Sequence, residues 1–283
     1  LPELPEVETV RRGLDHLYAG RTLRALEISG ARTVRRHPPE HLQRLAGSVL
    51  VGAFRHGKYL LLHWSGGEIL VVHLRMSGQL LAAPAGSPRP PHTHAVFSFA
   101  GQRELRFVDP RTFGELFLAG VQWTPTPASP SVSRGLPAEL AHLGPDALRV
   151  GPSELAAAIA GRRAPLKALL TDQRLVAGVG NIYADEVCFW AGLRPQRPGG
   201  SLRPWDLRRL AASLRSVLEA AILARGSTLG DERYRDIEGA AGTYQFEHKV
   251  YGRAGEACTK CGQTVQKIKM GAKSAYFCPK CQR

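Results

Sequence analysis

The sequence contains no run approaching the roughly 18 uninterrupted apolar residues that a membrane-spanning helix requires. Its best apolar runs, Tyr59–Leu62 and Ile69–Val72, are long enough only for strands. A signal-peptide core is also missing, because the opening stretch LPELPEVETVRR alternates acidic and apolar residues, which argues against export. No internal repeat of convincing length is present. Acidic residues are scarce beside basic ones, 24 Asp and Glu against 38 Lys and Arg, leaving a formal net charge of +14. A disordered basic tail is excluded, since 43% of the 283 residues are hydrophobic, enough to fill packed cores. At roughly 100–200 residues per domain, this length accommodates two domains. A folded chain this basic points to a polyanionic partner, nucleic acid first and an anionic membrane surface second.

Cysteine is scarce too, with five in the chain, but four of them are patterned. Cys258, Cys261, Cys278 and Cys281 form two C-x-x-C pairs separated by 16 residues. Each pair has the spacing of a metal knuckle, and two knuckles supply four thiolates in a tetrahedron, so one Zn2+ is expected. Disulfides are the competing reading, and the missing export signal weighs against them. A site closed by four protein ligands leaves no position for an activated water, so the zinc is structural. Cys188 lies in the apolar run Val187–Trp190 on a predicted helix and reads as a small buried hydrophobe.

Pro5, followed by Glu6 and Glu8, marks a helix start: proline suits the first turn and the acids complement its positive end. Val7, Val10, Leu14 and Leu17 then recur at helical spacing until Gly20. From about Leu23 to Leu118 the texture changes to short β-type runs separated by turns, among them Tyr59–Trp64, Ile69–Leu74, Ala95–Phe99, Leu105–Val108 and Glu115–Leu118. Such spacing favours a β-sandwich or barrel. The segment TPTPASPSVSR between Thr124 and Arg134 reads as a linker. Beyond it the pattern is helical over Pro152–Ala160, Pro165–Thr171, Ile182–Ala191 and Pro204–Ala224.

In Ala177-Gly-Val-Gly-Asn-Ile-Tyr, Gly178 and Gly180 invite comparison with a dinucleotide-binding loop. The third glycine is missing, with Tyr183 in its place, and the preceding segment is helical rather than a strand. A tight glycine turn that delivers Asn181 to the cap of the next helix is the better reading. Free backbone N–H groups there would form a phosphate site, unless the cap simply has no ligand.

Several segments together resemble one family. LPELPEVETVRRGL, GKYLLLHW, HLRMSGQL, DPRTFG, AGVGNIYADE, VYGR and the cysteine pairs ending CPKCQR are similar to formamidopyrimidine-DNA glycosylase, in family order across nearly the whole chain. HLRMSG resembles this branch rather than the related endonuclease VIII branch, which favours oxidised pyrimidines. The resemblance implies a bacterial base-excision repair enzyme, a bifunctional DNA glycosylase and AP lyase acting on oxidised purines (8-oxoguanine, formamidopyrimidines). It implies an α+β fold: an N-terminal β-sandwich with flanking helices, then a C-terminal helix–two-turns–helix domain plus a zinc-finger β-hairpin. The expected boundaries are 1–123 for the catalytic sandwich, 124–150 for a linker, 151–240 for the helical domain and 241–283 for the finger. The implied partner is double-stranded damaged DNA, with no membrane, and the expected state is a cytoplasmic, nucleoid-associated monomer.

The family's nucleophile is an N-terminal proline amine, and Pro2 matches it. An α-amine titrates near ~8, well below lysine, so a useful fraction is neutral at physiological pH. Leu1 departs from the family. While it is attached, the Pro2 nitrogen is an amide without a free lone pair, and the chain would be a non-catalytic damaged-DNA binder. Leu1 is read as a non-AUG start codon written literally, its Met removed ahead of the small proline. Glu3 matches the family's general acid/base, and Lys58 its lysine that assists elimination and holds a phosphate.

Excising a base from duplex DNA requires flipping it out and filling the gap. By resemblance, Met76, Arg111 and Phe113 form the wedge that does so. His73 and His92 resemble phosphate or backbone contacts, and the His92–His94 pair is not expected to bind metal. Further phosphate contacts are implied for Asn181, Arg162, Lys167, Lys267 and Lys273, and more loosely for Tyr244. Lys273 stands where the family usually has Arg; the charge is kept but the bidentate fork is lost, which bears on δ-elimination. Segment 227–243 falls where the family has a mobile loop over the extruded base, and its composition suits a lid or an ordinary surface loop. Five neutralised phosphates, at Arg111, Arg162, Lys167, Lys267 and Lys273, would give a log–log salt slope of roughly −4 to −5.

Overall fold

The computed structural model describes residues 2–120, 135–159, 161–230 and 234–283. Leu1 and the expected linker segment 124–134 lie outside the described residues. The chain divides into two compact units, each built from separate stretches of sequence. The first comprises Leu1–Pro2, Val7–His142 and Leu229–Ala241; the second comprises Glu3–Glu6, Leu143–Thr228 and Gly242–Arg283.

Helix α1 (Leu4–Tyr18) starts where the proline and acids predict. Its start is closed by Glu6, whose carboxylate accepts the Glu3 N–H at 2.8 Å, one half of a capping box. The apolar stripe Val7, Val10, Leu14 and Tyr18 is fully buried in the core of the first unit. Tyr18 closes the stripe in place of Leu17, which is only partly buried, and its hydroxyl donates to Glu104 O at 2.7 Å.

Eight antiparallel strands follow among the described residues: β1 (Leu23–Ile28), β2 (Leu50–His56), β3 (Tyr59–Trp64), β4 (Ile69–His73), β5 (Gln79–Pro84), β6 (Thr93–Phe99), β7 (Arg103–Val108) and β8 (Glu115–Ala119). They form two four-stranded sheets, β1-β6-β7-β5 and β2-β3-β4-β8. Leu26, Phe97, Leu105 and Phe107 of one sheet share a core with Leu60, Leu62, Trp64 and Val72 of the other, so this is the sandwich rather than the barrel. β3 and β4 are buried along their whole length, which is why their sequences run apolar instead of alternating.

Neither sequence reading of segment 227–243 predicted its packing. Tyr234 and Ile237 lie in the sandwich core, at 5% and 3% exposure. Ile237 O accepts the Ala82 N–H at 2.7 Å, and its side chain fills the space that a Cβ on Gly13 of α1 would occupy. Burying such a side chain contributes about 1.5–3 kcal/mol, and the stretch Leu229–Ala241 belongs to the first unit.

The second unit holds α2 (Pro152–Ile159), α3 (Leu166–Thr171), α4 (Asn181–Ala191) and α5 (Pro204–Leu223), then the antiparallel hairpin β9 (Gln266–Met270) and β10 (Lys273–Phe277). α4 ends at Gly192, whose φ of 67° is the left-handed C-cap that glycine tolerates. α5 begins with Pro204, and the Asp206 carboxylate accepts the Arg203 N–H at 3.1 Å. Phe189 of α4 packs against Val250, Cys258, Val265 and Cys278, seating the cysteine knuckles on the helix.

Candidate active site

The glycine turn before α4 holds a carboxylate. Glu3 is 1% exposed, and its two oxygens accept the N–H groups of Gly180 (2.7 Å), Ile182 (2.9 Å) and Tyr183 (3.4 Å). This corrects the expectation of a phosphate site at those amides: the helix N-terminus already has its anion, supplied from 177 residues away in sequence. Both glycines are needed for the fit. A Cβ on Gly180 would overlap the Glu3 carboxyl group, and one on Gly178, at φ +113°, would lie 2.5 Å from Leu4 Cδ1. Leu4 N–H also donates to Gly178 O at 3.1 Å, so the start of the chain is threaded onto this turn.

Glu6, one turn further along, is buried as well. It accepts from the Tyr183 hydroxyl at 2.5 Å and from the Ser227 N–H at 2.8 Å, and the polar chain continues from Tyr183 through Ser227 Oγ to His248. Burial, reinforced by the Glu3 charge, holds the Glu6 carboxyl above the ordinary carboxylate range. Burial likewise draws His248 down to about 4, so the ring is neutral at pH 7. Pro2, bonded to Glu3, is itself buried.

In the first unit, Lys58 lies in the β2–β3 turn after Gly57, whose φ is 55°, and is buried. His73 ends β4 with its ring edge-on to Tyr59, 4.3 Å between centroids. Burial, with the nearby Arg75 and Lys58 charges, pushes His73 down to about 3. Its Nδ1 accepts the Arg75 N–H at 2.9 Å, which leaves the proton on Nε2: a neutral donor rather than a cation. Met76 and Phe113 are exposed at 37% and 44%, and the Arg111 guanidinium lies 4.7 Å from the centroid of the Phe113 ring. These three side chains come from two turns, Leu74–Gly78 and Asp109–Gly114, tied together by Asp109. His92 is exposed in a third turn, and its carbonyl accepts the Asp109 N–H at 3.0 Å.

In the second unit, Asn181 is the first residue of α4, with Gly180 rather than Asn181 at the cap. It hydrogen-bonds the Tyr251 hydroxyl, and its own Oδ1 is buried with no partner among the described residues. Arg162, Lys267 and Lys273 are exposed, Lys267 lying 5.7 Å from the Tyr276 ring centroid. Lys167 departs from its expected role as a phosphate contact. It is 2% exposed and gives its ammonium to Asp185 at 2.8 Å and to Ser274 O. Asp185 also accepts the Tyr276 N–H at 3.0 Å, so this buried pair pins the β10 strand to α4. Burial raises the Asp185 carboxyl to about 7 and lowers the Lys167 amine. Tyr244, at 5% exposure, packs on Tyr183 and His248 and presents no surface for a phosphate.

The four cysteine Sγ atoms lie within 4.8 Å of one another, with Cys258–Cys281 at 3.9 Å and Cys261–Cys278 at 3.5 Å. A tetrahedron with Zn–S near 2.3 Å has edges of about 3.8 Å, so the set fits one structural zinc. Cys188 is wholly buried and burial raises its thiol, consistent with a packing role. The sequence reading passed over Asp109, Glu6, Tyr183, Glu186 and Tyr251. Glu186 is buried on α4 and accepts the N–H groups of Lys249, Val250 and Tyr251, aligning the VYGR segment. An acidic pair inside an otherwise apolar helical stretch, Asp185-Glu186, was the available signal.

A β-sandwich unit, and a helical unit closed by a four-thiolate hairpin, define the class as a zinc-finger protein. Comparison with known proteins narrows the class. The N-terminal domain profile of formamidopyrimidine-DNA glycosylase matches residues 1–116, its H2TH domain profile residues 143–232, and the zinc finger found in FPG and IleRS residues 255–283. The formamidopyrimidine-DNA glycosylase of Moorella thermoacetica is 45% identical over 95% of each chain. That of Symbiobacterium thermophilum is 43% identical over all of this chain and 89% of its own. Among solved structures, the MutM (Fpg) protein of Thermus thermophilus superposes with a TM-score of 0.84 at 40% identity, covering 99% of this chain and 98% of its own. The Lactococcus lactis Fpg, solved with DNA containing an abasic site, gives 0.85 at 32%, covering 99% of each chain. The chain belongs to the formamidopyrimidine-DNA glycosylase family, base-excision repair enzymes with DNA glycosylase and AP lyase activity.

Proposed function

We propose that this protein excises oxidised purines, 8-oxoguanine and formamidopyrimidines, from double-stranded DNA and then cleaves the strand by β- and δ-elimination. The observation that carries the reading is the Glu3 carboxylate, buried and fixed by three backbone N–H groups next in chain to Pro2. With residue 1 removed, Pro2 is a secondary amine whose neutral fraction attacks the sugar C1′. The new N–C1′ bond forms as the bond to the base breaks, and the base leaves with a proton relayed by Glu3. The attacking amine gives up its proton, the C1′–O4′ bond then breaks with O4′ taking a proton, and the ring-opened iminium so formed acidifies C2′–H. Loss of that proton expels the 3′-phosphate, and a second elimination expels the 5′-phosphate, leaving a gap with phosphate ends.

Lys58 assists the elimination and holds a phosphate. Met76, Arg111 and Phe113 fill the space left by the extruded nucleotide. His73, through its Nε2–H, contacts the backbone with His92, while Asn181, Arg162, Lys267 and Lys273 contact phosphates. Lys167 serves instead to hold β10 in place through Asp185. Cys258, Cys261, Cys278 and Cys281 hold the zinc that keeps the hairpin folded. The functional parts run 1–123, 124–150, 151–240 and 241–283, and the protein acts as a cytoplasmic, nucleoid-associated monomer.

The test is borohydride trapping on duplexes carrying 8-oxoguanine or thymine glycol, alongside intact mass of the native protein. A cross-link through Pro2, with faster excision of 8-oxoguanine, is expected. An authentic Pro2 terminus that fails to trap defeats the lyase mechanism, and a mass that includes residue 1 defeats the Pro2 assignment. Faster reaction on thymine glycol would make the protein an oxidised-pyrimidine glycosylase.

A further inference from the structure

Three turns that present exposed side chains meet at one residue with no exposure of its own, Asp109. Its Oδ1 accepts the Ser77 hydroxyl at 2.5 Å and the Arg111 N–H at 3.2 Å; its Oδ2 accepts the Gly114 N–H at 2.7 Å. Its main chain is equally occupied. Asp109 N–H donates to His92 O at 3.0 Å, and Asp109 O accepts from His94 Nε2 at 2.9 Å and Thr112 N–H at 3.2 Å. The glycines of the MSG and TFG motifs allow this convergence. A Cβ on Gly78 would sit 3.1 Å from Phe107 Cζ and 2.6 Å from Leu74 O, and one on Gly114 would run into the same Phe107 ring. Both turns therefore close down on one aromatic ring, with the Asp109 carboxylate between them.

Backbone strain collects in the same three turns. Arg75, His92 and Thr112 adopt positive φ of 53°, 65° and 53°, a region that non-glycine residues enter only at a cost, and Thr112 is β-branched. Such conformations persist where the surroundings over-determine them, and they concentrate where geometry is functional. Here the bonds to Asp109 supply that determination for the His92 and Thr112 turns directly, and for the Arg75 turn through Ser77.

We infer that Asp109 is a positioning residue that makes Met76, Arg111 and Phe113 enter DNA as a single rigid wedge. The inference rests on the reading of those three side chains as the wedge. Asp109 never touches DNA in this scheme; it fixes the spacing between the Met76 turn and the Arg111–Phe113 turn. When the link through Ser77 is cut, the Met76 turn is free to shift relative to its partner. A displacement of about 1 Å at such a contact lowers the rate by on the order of a hundredfold.

The test compares single-turnover excision of 8-oxoguanine from a paired duplex with incision of a preformed abasic site, where no base has to be displaced. Asp109→Asn and Ser77→Ala are each expected to slow the paired substrate by roughly ten- to hundredfold, at most doubling the time on the abasic one. Ser77→Ala removes only a hydroxyl and decides the matter should Asp109→Asn fold poorly. In the wild-type background, Met76→Ala and Phe113→Ala should combine non-additively; in the Ser77→Ala background they should become additive. Equal loss on both substrates, or unchanged coupling, overturns the positioning role. If Met76→Ala, Arg111→Ala and Phe113→Ala leave the substrate ratio unmoved, the wedge reading itself has failed, and Asp109 with it.

Discussion

Gly180→Ala is the most informative single change to the turn that cradles Glu3. It adds one methyl group to a turn whose backbone already adopts an extended conformation, φ −127° and ψ −154°, which alanine tolerates. The entire effect therefore comes from collision with the Glu3 carboxyl group. Glu3 and its three N–H partners are buried, so no water is waiting to replace lost bonds. Each hydrogen bond to a charged group contributes about 1.5–3 kcal/mol, and losing two of the three costs about 3–6 kcal/mol. For a protein of this size that corresponds to a fall in Tm on the order of 10 °C. Excision should fall further, by on the order of a hundredfold, because the carboxylate is pushed off its position by about the length that separates productive from unproductive geometry. Differential scanning calorimetry and single-turnover excision measure the two effects, with Glu3→Gln as the control that removes charge while keeping volume. A Gly180→Ala protein with wild-type excision and a Tm within about 2 °C of the parent would refute the carboxylate cradle.

Salt dependence separates surface charge from buried charge. With Lys167 paired, Lys58, Arg111, Arg162, Lys267 and Lys273 remain, and the log–log slope of DNA affinity should be about −4.5. Lys273→Ala should reduce it by about 0.9, while Lys167→Met should leave it unchanged and cost about 3–5 kcal/mol of stability. A slope that moves with Lys167→Met would return that residue to the DNA. Chelating the zinc should abolish DNA binding by unfolding the hairpin, leaving the near-ultraviolet signal of the sandwich tryptophan Trp64 in place. Acid stability follows from His73 and His248. Both have folded values below the ordinary 6.5, about 3 and about 4, so the stability they carry is complete above pH 6.5 and lost as pH falls through that window. Between pH 8 and pH 5 each accounts for roughly 2 kcal/mol. Urea unfolding of His73→Gln and His248→Gln should show that much less acid loss per variant, and a slope identical to wild type would contradict the burial argument.

Local signals carried much of this protein. The α1 stripe, the β3 strand Tyr59–Trp64 and the two C-x-x-C pairs depend on neighbours a few residues away, and the structure forms each as its pattern predicts, save that Tyr18 replaces Leu17 at the end of the stripe. The exposed Met76 and Phe113 were legible only through the motifs around them, because exposed and buried methionines look alike in sequence. Long-range pairing was not legible. Glu3 occupies amides 177 residues distant, and Lys167 is taken from the surface by Asp185, 18 residues on and in a different helix. A basic residue in an apolar helix gives no sign of whether its partner is protein or phosphate. Tyr234 and Ile237 were hidden for a further reason: two apolar residues in a polar, glycine-bearing segment lack the periodicity that announces a core.

The packing of that segment bears on how the protein is made. The sandwich lacks Tyr234 and Ile237 until the ribosome has released the chain beyond residue 241, more than a hundred residues after β8 is complete. Residues Glu3–Glu6, translated long before their partners, wait for amides that arrive near residue 180. Neither unit can be finished on the ribosome before most of the other has been synthesised. Swapping either half between relatives as a cassette would sever both exchanges at once, so inheritance should favour the whole chain over its parts.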